Sequence, residues 1–308
     1  MSSFADDTRV SRAMRSTADP QQLQEDLRSI YAWAEEVNMF FNGDKFESLR
    51  YWPDTDIRDV FRAEFPYIDV EGKIIKEREN LRDLGVELSQ DLTFSKHIDN
   101  ITTSCRKLAG WAMRTFRTRS RLVMLTIWKS LLQSRLDYCS QLWSPHTAAD
   151  INKLEDIQRS FTARIEEMSG LNYRQRLDKL HLYSQERRRD RYAVIFIWKV
   201  AMGLVDGYVL EFSLTNGRRG RKCKVKSVVR SAPASVKKAR ENSLAVKGAK
   251  MFNMLPSEIR NIDSEKVDIF KTRLDRYLRT IPDEPTIPEV GRAAETNSLL
   301  HQIPISRR

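Results

Sequence analysis

Residues 2–9 read Ser2-Ser3-Phe4-Ala5-Asp6-Asp7-Thr8-Arg9, and the adjacent aspartates at their centre decide how the rest of the chain is read. Two neighbouring carboxylates repel each other. They are tolerated either exposed in a turn or helix cap, where water screens them, or around a cation that holds them together. The first is the common case, because acidic pairs are ordinary surface features. The second needs support from elsewhere in the chain.

Composition narrows the field. The chain has 308 residues, room for two or three domains, and is 41% hydrophobic. Its apolar runs are short: Tyr192 to Trp198 ends at Lys199, far below the roughly 20 residues of a membrane span. The acidic, polar N-terminus does not read as a secretory signal. Cys105, Cys139 and Cys223 are widely spaced and odd in number, which fits neither a disulfide framework nor a zinc knuckle. An intracellular setting, nucleus or cytoplasm, is the expectation. His97 and His146 have no partner at metal spacing and read as structural.

Charge is distributed unevenly. Residues 1–100 hold 13 Lys/Arg against 21 Asp/Glu, so the net charge of +11 comes from the remainder. Arg106 to Arg135 has eight basic residues and no acid; Ser213 to Lys250 has twelve and one acid, Glu241. An acidic front followed by basic segments suits a protein that handles a polyanion, with carboxylates for metal ions and cations for phosphates.

Periodicity gives the organisation. Asp19-Pro20 reads as a helix cap with proline in the first turn, and Gln22 completes a capping-box pattern. Leu23, Leu27, Ile30, Ala34 and Val37 then mark an amphipathic helix ending near Asn38. Asn42-Gly43 reads as a turn between two short strands, Tyr67 to Val70 as a strand, and Leu81 to Leu88 as a strand near a tight turn at Gly85. From Ser95 the period is helical. Its stripes are Ile98, Ile101, Cys105, Leu108, Ala112 and Phe116; then Leu122, Leu125, Leu132 and Leu136; then Ile151, Leu154, Ile157, Phe161, Ile165 and Met168. A fourth helix spans Gln185 to Met202. These four are expected to form a helical bundle over residues 95–205 that is stable alone. Ser213 to Lys250 reads as a basic linker, Met251 to Leu278 as a small apolar cluster, and the last thirty or so residues as disordered.

The order of these elements, with their residues, resembles the reverse transcriptase of non-LTR retrotransposons, the LINE elements of the jockey type. Residues 2–9 look like the palm motif (Y/F)-x-D-D. Trp33-Ala34-x-x-x-Asn38-Met39-x-Phe41-Asn42-x-x-Lys45, Asp83-Leu84-Gly85-Val86 and Phe94-x-x-His97-Ile98 follow. Next come Leu136-Asp137-Tyr138-Cys139-x-x-Leu142-Trp143-x-Pro145 and Leu154-Glu155-x-Ile157-Gln158-Arg159-x-Phe161-Thr162. Tyr173-x-x-Arg176-Leu177-x-x-Leu180, Arg187-Arg188-Arg189-x-Arg191-Tyr192 and Phe252-Asn253-x-Leu255-Pro256-x-x-Ile259-Arg260 complete the series.

The resemblance implies an α+β fold: a partial palm with short antiparallel strands over residues 1–92, a helical thumb over 93–212, a basic linker over 213–250, a small helical segment over 251–280 and a disordered tail over 281–308. It implies that Asp6 is a ligand of Mg2+ or Mn2+ and Asp7 a supporting carboxylate, serving a two-metal nucleotidyl transfer. The family's third metal carboxylate and its fingers belong upstream of these motifs. The chain is therefore expected to be an RNA-directed DNA polymerase by descent but inactive alone, with missing parts supplied by another chain if at all. The implied partners are RNA template and RNA–DNA or DNA duplex, with no membrane. Expected nucleic-acid contacts are Arg114, Arg117, Arg119 and Arg121 at a helix junction; Arg187, Arg188, Arg189 and Arg191 at a helix start; and Arg218, Arg219, Arg221, Lys222, Lys224 and Lys226 in the linker. The alternatives are a non-catalytic nucleic-acid-binding or partner-binding helical module, and a gene product that never folds.

Overall fold

The structure is a computed structural model, and it describes residues 1–5, 7–14, 16, 18–51, 66–205, 240–260, 266–285 and 297–303. They divide into two units, 1–93 and 94–308.

In the first unit, strands β1 (Ser2–Phe4) and β2 (Asp7–Arg9) pair antiparallel, with Phe4 opposite Asp7. Only two residues connect them, and Ala5 takes a left-handed φ of 53°, as such hairpin turns require. Helix α1 (Asp19–Glu36) follows. Asp19 is its first residue rather than its cap: the carboxylate accepts the Ser16 amide at 2.6 Å, and the cap position belongs to Ala18. The helix stops where expected. Asn38 turns left-handed at φ 53°, and the Met39 amide reaches back to the Ala34 carbonyl at 2.8 Å.

Asn42-Gly43 does not join two strands. Residues Gly43–Lys45 form one 3-10 turn, capped by the Asn42 side chain accepting the Asp44 amide. Aromatic burial overrides strand pairing here. Phe41 and Phe46 fold onto Tyr31 of α1, with ring centroids 5.9 and 5.6 Å away. Beyond them, β3 (Glu47–Ser48) pairs in parallel with β4 (Lys76–Glu77). The strand expected at Tyr67 to Val70 shrinks to a single bridge between Ile68 and Ile74, with the Asp69 amide on the Lys73 carbonyl at 2.9 Å and the Ile75 amide on the Tyr67 carbonyl at 2.7 Å. Gln24 brackets Ile68 with two hydrogen bonds, and Asp69 accepts the Glu71 and Lys73 amides at 2.9 Å. Leu81 to Leu88 is two strands rather than one: β5 (Asn80–Asp83) and β6 (Val86–Ser89), turned through Leu84 and Gly85, both at positive φ.

The second unit is helical. Helix α2 (Ser95–Thr115) buries Ile98, Cys105 and Ala112 of the expected stripe, with His97 edge-on to Trp143 at 5.0 Å. Helix α3 (Arg121–Ile127) runs through a π turn (Trp128–Gln133) into α4 (Ser134–Asp137). A π turn takes more residues per turn than an α-helix and so shifts the phase, and no single 3.6-residue stripe spans it. Leu132 and Leu136 are buried as expected, but ahead of the π turn Met124 and Ile127 face the core, as does Trp128 at its start, and Leu122 points out. Next are α5 (Ser140–Trp143), α6 (Ala148–Thr162), started by the Thr147 hydroxyl accepting the Asp150 amide, and α7 (Tyr173–Leu180), started by an Asn172–Gln175 capping box. Helix α8 (Gln185–Ala201) is capped by Ser184.

What covers α8 departs from expectation. A π turn (Leu244–Gly248) leads into α9 (Ala249–Met254), followed by α10 (Ser257–Arg260), α11 (Val267–Leu278) and α12 (Leu299–Gln302). Val194, Ile197 and Trp198 of α8 share one core with Phe252, Phe270 and Leu274, and Trp198 stacks on Phe270 at 4.5 Å. This face of α8 is therefore covered by residues outside 95–205, while Trp128 and Phe161, with ring centroids 5.3 Å apart, pack within that range. Within the span expected as linker, Val246 and Ala249 are buried in helix. The expected disordered tail contains buried Ile281, Leu299 and Ile303, because these apolar residues complete the same core.

Candidate nucleic-acid interface

The junction of α2 and α3 lies inside the acid-free stretch Arg106 to Arg135. Arg114, Arg117 and Arg121 are exposed there, and among the described residues none has a carboxylate partner. Arg119 is different. It donates to the carbonyls of Phe116, of Thr118 at 3.0 Å and of Met113 at 2.8 Å, satisfying acceptors left over at the end of α2. Its own carbonyl accepts the Glu166 amide at 2.9 Å. Arg119 fixes the junction rather than presenting a free cation.

Two aromatic residues stand at the same place: Trp111, which the sequence reading passed over, and Phe116, which it put on the core stripe but which is exposed. Trp111 is 46% exposed and meets Phe116 edge to face, centroids 6.2 Å apart at 89°. Lys107, Trp111 and Arg114 recur at i, i+4 and i+7, the spacing of one helix face, and all three are exposed. That spacing is visible in the sequence once the helix phase is known.

The four arginines at the start of α8 turn inward. Arg187 is fully buried and donates to the Ile281 carbonyl at 3.3 Å, the Pro282 carbonyl at 2.8 Å and Gln302 Oε1 at 2.9 Å. Arg188 grips Asp137 through Nε at 2.9 Å and Nη2 at 2.7 Å. Arg189 reaches the Leu136 carbonyl at 3.0 Å, with its guanidinium 4.8 Å from the Trp143 ring centre; burial lowers its pKa to about 10, so it stays charged at neutral pH. Arg191 holds Asp275 through two bonds of 2.5 and 2.7 Å. A groove-facing role needs guanidiniums free for phosphate, and these are committed to carbonyls and carboxylates inside the unit. Arg218, Arg219, Arg221, Lys222, Lys224 and Lys226 lie outside the described residues.

Of the paired aspartates, Asp6 lies outside the described residues. Asp7 opens β2 with its side chain exposed. Among the described residues no three His, Cys, Asp or Glu side chains gather as ligands would. Among them, too, no helix is long and apolar enough to cross a membrane.

A buried carboxylate network joins α6, α8 and the C-terminal segment, and no sequence pattern announces it. Glu155 accepts the Tyr173 hydroxyl at 2.6 Å and the Glu186 amide at 3.0 Å; Glu186 accepts the Asn297 amide at 2.9 Å. Asp190 takes the Ser298 hydroxyl and Leu299 amide at 2.8 Å, with Lys247 at 3.3 Å. Burial pushes Glu155 up to about 7, and burial together with the charge of Asp190 does the same for Glu186. Both carboxyls bind a proton more tightly folded than unfolded, where about 4.5 is normal. Their contribution to stability is thus complete below about pH 4.5 and fades as pH rises to about 7. The urea midpoint should fall between pH 5 and 7, and Glu155→Gln with Glu186→Gln should flatten that decline. An unchanged slope in the double variant contradicts this account.

No family model matches the chain, and no solved structure matches it. Curated relatives do. The RNA-directed DNA polymerase from mobile element jockey of Drosophila melanogaster is 28% identical over 169 residues, 54% of this chain and 18% of the relative. The probable RNA-directed DNA polymerase from transposon X-element of the same species is 26% identical over 162 residues, 51% of this chain and 17% of the relative. The jockey polymerase of Drosophila funebris is 24% identical over 169 residues. The chain thus spans less than a fifth of the length of the relatives it matches. Over about half of its own length it is homologous to jockey and X-element RNA-directed DNA polymerases, which bears out the resemblance to the reverse transcriptases of non-LTR retrotransposons.

Proposed function

We propose that this chain is the nucleic-acid-holding part of a non-LTR reverse transcriptase, with residues 1–92 a portion of its palm and the helices from residue 94 its thumb. It grips the phosphate backbone of RNA template and RNA–DNA or DNA duplex through Arg114, Arg117 and Arg121, aided by the basic residues of 213–239. The observation that supports this is the contrast between two arginine sets. Those at the start of α8 are bound to internal acceptors, whereas those at the α2–α3 junction face solvent with no carboxylate partner among the described residues. Phosphate contacts of this kind position a strand without reading its sequence.

A filter-binding titration across several salt concentrations tests it. The triple change of Arg114, Arg117 and Arg121 to alanine should weaken binding to all sequences about equally, by roughly tenfold near physiological salt, and flatten the salt slope by about 2 to 3. Deleting residues 213–239, which hold nine basic residues and no acid, should act the same way. A wild-type slope and affinity matching a scrambled peptide of equal charge defeats the proposal.

In the parent enzyme Asp6 and Asp7 serve Mg2+ or Mn2+; the 308-residue chain by itself does not extend a primer. Catalysis of phosphoryl transfer rests on positioning and charge neutralisation, and among the described residues no three His, Cys, Asp or Glu side chains gather to hold a cation. Nucleotide incorporation by the isolated chain that disappears in Asp6→Ala overturns this part and restores the polymerase reading.

A further inference from the structure

We infer that the α2–α3 junction is a binding site for an unpaired nucleic-acid strand, one of whose bases stacks on Trp111 while Lys107, Arg114 and Arg117 hold the flanking phosphates. The inference rests on the nucleic-acid reading above and adds the form of ligand to it.

Three features carry it. The first is exposure with fixed orientation. An indole left 46% exposed forgoes much of the burial that a tryptophan normally gains, yet this one is held in place. Phe116 abuts it at 89°, and Phe116 is itself anchored, its amide donating to the Ala112 carbonyl at 2.9 Å and its carbonyl accepting from Arg119. The platform is formed before any ligand arrives, so little ordering cost remains at binding.

The second is the placement of charge. Lys107 and Arg114 flank Trp111 on its own helix face, and Arg117 follows at once in the loop. The Arg114 guanidinium folds back along the helix, where its Nη1 lies 3.4 Å from the position a β-carbon would take at Gly110. No acidic residue occurs from 106 to 135, and the acid that packing brings to the junction is Glu166, through its amide on the Arg119 carbonyl. Cations on either side of the indole along its helix face favour a polyanion over an apolar protein partner.

The third is the chemistry of stacking. A duplex buries its base faces and offers only edges and backbone, whereas an unpaired strand offers a face to any aromatic ring. An exposed indole between cations selects the second.

Fluorescence anisotropy decides the matter, using a labelled oligoadenylate of about twelve nucleotides and a blunt duplex of equal length as probes. Trp111→Ala should weaken single-strand binding by about tenfold and duplex binding by less than about twofold. Trp111→Phe keeps a stacking face and the packing on Phe116, and should retain most of the single-strand affinity. If wild type binds neither probe, the nucleic-acid reading fails and takes this inference with it. Wild-type binding to both probes that Trp111→Ala reduces equally, or not at all, defeats the stacking inference alone.

Discussion

Arg187→Ala is expected to destabilise the unit of residues 94–308 by about 4 kcal/mol, the loss for a fully buried charged group whose acceptors are left unpaired. Its side chain ties the start of α8 to the carbonyls of Ile281 and Pro282 and to Gln302 of α12, and no solvent reaches the space it fills. Truncation strands three acceptors and opens a cavity. Lysine should recover little, because one ammonium on a flexible stem cannot serve three acceptors in the fixed fork of a guanidinium. Arg117→Ala, by contrast, removes an exposed side chain and should shift stability by no more than about 0.5 kcal/mol. Urea unfolding of the three variants measures this. A stable Arg187→Ala protein with impaired nucleic-acid binding would return this arginine to the groove and contradict the buried geometry.

A still larger effect is expected from cutting the chain after residue 205. The fragment 94–205 keeps α2 to α8 but loses the cover of α8. Val194, Ile195, Ile197 and Trp198 would then face water in place of Phe252, Leu255, Phe270 and Leu274. Each such side chain contributes roughly 1.5 to 3 kcal/mol by its burial, and a domain's whole stability is about 5 to 15 kcal/mol. The carbonyl acceptors of Arg187 go with the same cut. The fragment should show a broad, non-cooperative thermal transition by circular dichroism, while 94–308 melts cooperatively. A sharp melt from 94–205 would show that the four-helix reading from periodicity was sufficient after all.

The helices themselves were legible. Stripes at three- and four-residue spacing locate α1, α2, α6 and α8 closely, since burial of one face is a local property of a regular helix. The π turn at Trp128–Gln133 hid the true face of α3, as it breaks the phase on which such stripes depend. Short strands were the least legible. Phe41 and Phe46 flank the Asn42-Gly43 turn signal as the strands of a hairpin would, but Tyr31 of α1 claims both rings, and nothing within residues 39–51 announces that. The junction arginines were found by their freedom from nearby acids, a feature of sequence alone. Trp111 was missed because an apolar residue near a helical stripe reads as core until its exposure is seen.

By itself the sequence determined the family resemblance, the helical register of most of the second unit and the acid-free stretch at the α2–α3 junction. Each is carried by residues close together along the chain or by an ordered series of motifs. Only the tertiary structure decided which cations are free. Arg114 and Arg187 look alike in a string of letters; one ends in solvent, and the other meets the Ile281 and Pro282 carbonyls more than ninety residues away. A guanidinium's role depends on which acceptors packing brings to it, and packing against α8 is set by the apolar residues of α9, α11 and α12. That is a long-range choice, made when those elements close over Trp198 and leave the far end of α2 uncovered.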